Sequence, residues 1–216
     1  TLELRSFLKG EEFLAFSEDR LSTPYEIIYG WQTSKFPKVA IVISLFNYAD
    51  RIIDALESVL YQTQSNIELI VVDDASEDNG LVLVKQWILD CVLKNQHPFV
   101  RLLLLKHKKN RGLAAARNTA FSLALSDWCF VLDADNKLFP NAIKECYEIA
   151  SSGSNSLAVV HPLLLVESDK EREDDRRSLT GLASWQKQRL KYENTVDAMA
   201  LVRHSAWKSV GGYTHI

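Results

Sequence analysis

Two acidic clusters stand where a cation and a phosphate ester could be held. Asp73-Asp74 closes the apolar run Ile67-Glu68-Leu69-Ile70-Val71-Val72, and Asp133-Ala134-Asp135 closes Trp128-Cys129-Phe130-Val131-Leu132. Carboxylates crowded at one edge repel one another unless a positive charge lies between them. Their oxygens suit hard divalent ions such as Mg2+ and Mn2+, which substrate phosphates and water usually complete. The ligand implied is a di- or triphosphate. The expectation is that Asp74, Asp133 and Asp135 converge on one rim around that cation. Helix capping is the competing use of Asp73 and Asp133, and a lone Asp-X-Asp does not decide between the two. Asp74 has a further use open to it, accepting a hydrogen bond from a ring N–H of a nucleobase.

Other groups gather near these clusters in the pattern. Ser44-Leu45-Phe46-Asn47 ends a third apolar run. Its ring could stack on a base, although position alone favours core packing for Phe46. Between Asn110 and Asn118, Gly112 permits a close backbone approach at a helix start. Arg117 can reach an anionic or ribose group, or equally pair with a strand-end aspartate. His97, His107, His161, His204 and His215 have no metal-ligand spacing, and Trp185 reads as a packing residue. Cys91, Cys129 and Cys146 form no CxxC pair and read as free thiols.

The elements that must position these groups alternate along the chain. Strands are expected at Val39–Ile43, Ile67–Val72, Phe99–Leu105 and Trp128–Leu132, from short β-branched or apolar runs. Helices are expected from Ile52 to Leu60, Leu81 to Leu93, Gly112 to Leu125 and Ala142 to Ala150. Such alternation predicts an α/β fold, a mainly parallel sheet with helices on both faces. Ligands bind such sheets at the carboxyl ends of the strands, where the acidic clusters lie. Further strands are expected at Leu157–Val160 and Thr195–Val202, and the charge run Glu167–Arg177 between them reads as a solvated loop. Residues 1–35 break the rhythm, with Gly10, Pro24 and Gly30 interrupting a loose helical spacing. They are expected to form an N-terminal extension or linker, leaving 36–216 as the domain.

Composition narrows the classes. A net charge of −3, with 25% charged and 47% hydrophobic residues, is that of an ordinary globular protein. It lacks the basic surplus of a nucleic-acid partner. No run of about eighteen apolar residues encodes a membrane span, and the start lacks the order of a signal peptide. The expected location is cytoplasmic, including the inner face of a membrane. A receiver domain would carry its acidic pair after the first strand. A nicotinamide dehydrogenase would carry G-x-G-x-x-G there, and a nucleotidyltransferase a glycine-rich phosphate loop. Ser44-Leu45-Phe46-Asn47 supplies none of these.

From Lys38 to Tyr213 the order of motifs resembles the family 2 glycosyltransferases. Ile41-Val-Ile-Ser-Leu-Phe-Asn47 is similar to that family's opening V-I-P-x-Y-N strand, and Ala55-Leu-Glu-Ser-Val-Leu-Tyr-Gln-Thr63 to the helix after it. Glu68-Leu-Ile-Val-Val-Asp-Asp-Ala-Ser76 resembles E-I-I-V-V-D-D-x-S, and Asn110-Arg-Gly with Ala115-Ala-Arg-Asn118 resembles N-x-G-x-x-x-A-R-N. Leu132-Asp-Ala-Asp135 matches the Asp-X-Asp step, and Val210-Gly-Gly-Tyr213 the G-G-[FY] turn toward the acceptor side.

The resemblance implies a GT-A type, Rossmann-like domain that transfers a sugar from a nucleotide diphosphate sugar, by family habit a UDP-sugar, with GDP and dTDP donors open. The acceptor would be a hydroxyl of a saccharide, a lipid-linked molecule or a protein. Transfer would be inverting and dependent on Mn2+ or Mg2+. Ser44, Phe46 and Asp74 would hold the base, and Arg117 would support the nucleotide pocket together with Asn47 and Gly112. Asp133 would sit near ribose and metal, and Asp135 would be the main metal ligand. Ser44 stands where the family has proline, Leu45 where it has a small polar residue, and Phe46 where it has tyrosine. Thr214-His215 replaces an acidic pair. The family's catalytic base follows that turn in a Glu-Asp type motif, so it is expected beyond Ile216, with the domain truncated before it. The alternative is a non-catalytic nucleotide-sugar-binding module of a larger protein.

Overall fold

The computed structural model describes residues 24–94, 96–166, 178–180, 188 and 197–214. Its centre is a parallel set of four strands, in spatial order β4 (Phe99–His107), β3 (Ile67–Asp73), β2 (Val39–Leu45) and β5 (Trp128–Asp133). β3 is buried at every position, as strands covered on both faces must be. Alternate side chains feed two cores. One face carries Ile41, Ile43, Leu69, Val71, Leu102, Leu104, Phe130 and Leu132. Against it lie the apolar stripes of α1 (Ile52–Leu60), α2 (Gly80–Lys94) and α4 (Ala142–Ser152). The other face carries Val42, Ile70, Val72, Leu103, Leu105 and Val131 and is covered by α3 (Leu113–Leu123). Small residues Ala116 and Ala120 let α3 approach the sheet closely, and Phe121 fills the gap beside them. Helices therefore lie on both faces, as the alternation predicts.

The sheet is extended by antiparallel strands at both sides. β1 (Tyr25–Gln32) pairs with β4, with a register shift between Ile27 and Tyr29. On the other side β9 (Leu201–Arg203) pairs with β5 and carries β6 (Val159–Val160), completing seven strands. β7 (Leu164–Val166) and β8 (Ser178–Thr180) form a separate hairpin, and α5 (His204–Ser209) follows β9. Three expectations change. Tyr25–Gln32 belongs to the sheet, so a boundary at residue 36 cuts a strand away from its partner. The strand expected over 195–202 lies at Leu201–Arg203, because Asp197 folds back to accept the Met199 N–H at 2.8 Å. Leu157 donates to Ser154 O at 3.0 Å in a turn, so the strand expected from 157 starts at Val159. The 1–23 segment, the charge run 167–177 and Trp185 lie outside the described residues.

A buried acid holds the amino-terminal ends of the parallel strands together. Glu68, in an otherwise apolar strand, has no exposed surface. Its Oε1 accepts from Leu125 N, Ser126 N and Ser126 Oγ, each at 2.8 Å. Its Oε2 accepts from Arg101 Nη1 at 2.6 Å, and the same nitrogen donates to Leu123 O at 2.9 Å. A buried charge is tolerated only when paired and hydrogen-bonded in this way. A concavity of about 450 Å3 beside this pair, lined by Thr33, Lys35, Phe36 and Arg101 among others, presents no acidic group.

Candidate functional site

The register of the sheet assembles the opposite edge. Where β2 ends, Ser44 lies beside Asp133 of β5 and Leu45 beside Asp73 of β3. Residues far apart in sequence thus become neighbours through pairing alone.

The loop leaving β2 puts Phe46 at 42% exposure. Core packing, which its position favours, is not its role; an aromatic face is left open at the ligand edge. Asn47 follows in the left-handed region, φ 58°, which asparagine tolerates better than most residues. Its N–H donates to Ser76 Oγ at 3.1 Å, and its Oδ1 accepts from Glu77 N at 2.8 Å. Asp78 adds acceptors for Ala49 N and Gly80 N, both at 2.9 Å. The β2–α1 and β3–α2 loops are stitched together by these bonds, and the Asn47 side chain is spent on the stitching.

Neither acid of the first cluster caps a helix. Asp73 Oδ2 accepts from Ser76 N at 3.3 Å, while its Oδ1 is buried without a hydrogen-bond partner. Burial pushes its carboxyl above the ordinary range, against the pull of the Ser76 donors and Lys106. Asp74 is the reverse case. Its Oδ1 accepts from Arg111 N at 2.9 Å and bonds His107 Nδ1, and its Oδ2 accepts from Gly112 N at 2.7 Å. His107 is fixed in turn by Thr119 Oγ1 at 2.9 Å from Nε2. Gly112 holds φ 84°, a left-handed conformation that aims its N–H at Asp74 and starts α3.

The second cluster is more open. Asp133 has a third of its side chain exposed, and its Oδ1 accepts from Arg117 Nη2 at 2.7 Å. Asp135 is exposed on the turn that follows. The strand-end pairing expected as one use of Arg117 is therefore made. The expected convergence of Asp74 with Asp133 and Asp135 is not. Among the described residues no three His, Cys, Asp or Glu side chains gather to hold a metal. The reason is electrostatic: Asp74 already has amide and imidazole partners for its carboxylate, so no cation is needed to bring it into the fold. Asp133 and Asp135 remain as two carboxylates at one strand end, the last residue of β5 and the turn after it. That pair fits Mg2+ or Mn2+ when phosphate oxygens complete the sphere.

Four residues that hold this edge or the strands behind it in place received no role from the sequence. His107 sets Asp74, and Glu68 anchors the far end of the same strand. Gln62 Nε2 donates to Phe139 O at 2.9 Å and its Oε1 accepts from Ile143 N at 3.1 Å, so the end of α1 docks on the segment after Asp135. Asn118 grips the chain at Tyr213: Nδ2 donates to Tyr213 O and Oδ1 accepts from Tyr213 N, both at 2.8 Å. The available signal was Glu68 itself, a charge inside an apolar run that demands a buried partner. The three cysteines are free and buried, as expected, and burial pushes Cys91 and Cys146 up to about 11 and Cys129 up as well. Buried and free, the thiols read as structural. No helix among the described residues is long and apolar enough to cross a membrane.

Comparison with known proteins agrees with the fold. The profile of "Glycosyl transferase family 2" matches residues 40–211. The chain is 37% identical over 125 residues to the succinoglycan biosynthesis protein ExoO of Rhizobium meliloti, covering 58% of this chain and 33% of that protein. It is 32% identical over 125 residues to the poly(ribitol-phosphate) beta-N-acetylglucosaminyltransferase TarP of Staphylococcus aureus, covering 56% of this chain and 36% of that one. Residues 1–349 of S. aureus TarS superpose with a TM-score of 0.56 at 19% identity, over 82% of this chain and 50% of that chain. The mannosyltransferase PcManGT of Pyrobaculum calidifontis, solved with GDP-Man and Mn2+, gives 0.56 at 18% identity, over 90% and 52%. The chain thus spans about a third of the length of these curated relatives and half that of the solved structures. The shared architecture is the GT-A type of α/β fold.

Proposed function

Because the chain belongs to glycosyl transferase family 2, we propose that it binds a nucleotide diphosphate sugar across the carboxyl ends of β2, β3 and β5 and transfers the sugar to an acceptor hydroxyl. The observation that carries this reading is the juxtaposition of Ser44 with Asp133, which the Arg117 guanidinium contacts, two residues before the exposed Phe46. An aromatic face, a hydroxyl, a cation and a pair of carboxylates meet a base, a ribose and a pyrophosphate in turn. TarS has been solved with UDP and with UDP-GlcNAc, which supports a UDP-sugar as donor; the Mn2+ in PcManGT supports a metal-assisted pyrophosphate.

In this reading Phe46 stacks on the base and Ser44 hydrogen-bonds beside it. Asp74 and Gly112 form the wall of the base pocket through the Arg111–Gly112 turn, and Asn47 keeps the Phe46 loop in place. Arg117 faces the ribose and phosphate side. Asp135, with Asp133, would hold Mn2+ or Mg2+, and the ion would supply Lewis-acid stabilisation of the departing diphosphate. The acceptor oxygen attacks the anomeric carbon in line, the bond to the diphosphate oxygen breaks, and a carboxylate base takes the acceptor proton. Displacement from the opposite face inverts the anomeric centre.

The test is titration calorimetry with UDP, with and without Mn2+. The unaltered chain is expected to bind UDP more tightly with Mn2+, and Asp135→Ala to lose that enhancement while its melting temperature stays close to the parent's. Equal UDP affinity in the two proteins with Mn2+ present sinks the metal assignment.

A further inference from the structure

Two successive residues of α3, Arg117 and Asn118, together link the candidate metal carboxylate to the Gly211-Gly212-Tyr213 turn. Asn118 makes three hydrogen bonds with one amide. Two go to the main chain of Tyr213, and the third is accepted from the indole N–H of Trp207 at 3.0 Å. The turn is shaped for this grip. Gly212 holds φ 85°, and a Cβ there would come within 2.6 Å of Asn118 Oδ1. Tyr213, so held, presents its ring to Arg117, whose guanidinium carbon lies 5.6 Å from the ring centroid.

Arg117 has few other restraints. It is 8% exposed, its Nε is buried without a hydrogen-bond partner, and its one described hydrogen bond is the 2.7 Å contact to Asp133. The guanidinium is therefore located by the Tyr213 ring on one side and the Asp133 carboxylate on the other. Asp133, a third exposed at its side chain, would sample several rotamers without that contact.

We propose that Asn118 is a positioning residue for the metal carboxylate: it fixes Tyr213, Tyr213 fixes Arg117, and Arg117 fixes Asp133. The inference rests on the reading of Asp133 as a cation ligand and goes beyond it, by assigning control of that ligand to an amide outside the metal site. Partners of this outer kind orient a ligand before the ion arrives, and their removal commonly costs about ten- to a hundredfold in metal affinity.

The experiment compares the ratio of UDP affinities with and without Mn2+ in the unaltered chain, Asn118→Ala, Tyr213→Ala and Tyr213→Phe, each checked for folding by circular dichroism melting. A ratio cancels any uniform loss that a loosened fold would cause. Asn118→Ala and Tyr213→Ala are expected to shrink the ratio about tenfold, and Tyr213→Phe, which keeps the ring and the gripped main chain, to preserve it. The Tyr213 pair decides the matter if Asn118→Ala fails to fold. An unchanged ratio in both alanine variants overturns the inference and leaves the metal site standing. A ratio of one in the unaltered chain overturns both.

Discussion

The parallel strands carry acids at both ends, and the two ends treat them in opposite ways. At the amino-terminal end the buried Glu68 has a donor for each of its oxygens, one of them from a buried, ion-paired arginine. At the carboxyl-terminal end Asp74 is satisfied in the same way, but Asp73 has an oxygen with no partner, Asp133 is held by a single contact, and Asp135 faces solvent. Backbone conformation divides similarly. Asn47, Ala75 and Gly112 take positive φ around the carboxyl ends, and Ala75 at φ 62° has neither glycine's freedom nor an asparagine side chain to ease it. At the other end Asn66 is also left-handed, but asparagine tolerates the conformation. One end has been closed for stability. The other retains unmet hydrogen-bonding capacity and local strain, the pattern of a site that completes itself on a ligand.

The largest effect should come from the closed end. Glu68→Ala strands Arg101 in the core and should cost about 3–5 kcal/mol of stability in urea unfolding. The molecules still folded should bind UDP as the parent does; a changed Mn2+ enhancement would mean that the two ends are not separable. Asp73→Asn should have the opposite sign and a smaller size. The raised carboxyl pKa of Asp73 means that, above the ordinary carboxylate range, the unfolded chain ionises more readily than the folded one, so stability is lost as pH rises. Removing the ionisable group should raise the melting temperature at neutral pH, with the gain fading as pH falls below the ordinary carboxylate value. A gain that persists unchanged in acid would show that charge is not the cause. Ala75→Gly should give the smallest change. Relief of about 1–2 kcal/mol of left-handed strain is offset by about 0.5–1 kcal/mol of added chain entropy in the unfolded state. The expected gain is about 0.5 kcal/mol, read by denaturant midpoint.

Legibility in the sequence followed the same division between local and distant causes. The parallel strands and the helices between them could be read because burial on both faces leaves unbroken apolar runs, and α1 to α4 carry their stripes at regular spacing. Tyr25–Gln32 could not, because an edge strand is buried mainly on one side and this one includes Glu26 and Gly30; only Trp31 in it is fully buried. Asp133 and Ser44 were legible as strand-end residues and Arg117 as an aspartate partner, and the register of β2 with β5 and the Arg117–Asp133 contact bring these three together. The roles of Gln62, His107 and Asn118 were not. Each acts through hydrogen bonds to residues at least a dozen positions away, and up to ninety-five in the case of Asn118, which no local periodicity encodes. Asp74 was legible as a strand-end acid but not as an anchor, since its partners are main-chain amides of a turn that forms only in the folded chain.

β1 occupies the free side of β4, whose sequence Phe99-Val-Arg-Leu-Leu-Leu-Leu-Lys-His107 is largely apolar. The family match begins only at residue 40, so a molecule trimmed to the matched region would bare a row of amides and carbonyls along a nine-residue leucine-rich strand. Such an edge is a template for strand addition between molecules and for cross-β stacking. Tyr25–Gln32 covers that leucine-rich strand and stands as the outer strand of the sheet in its place, with Glu26 exposed along it.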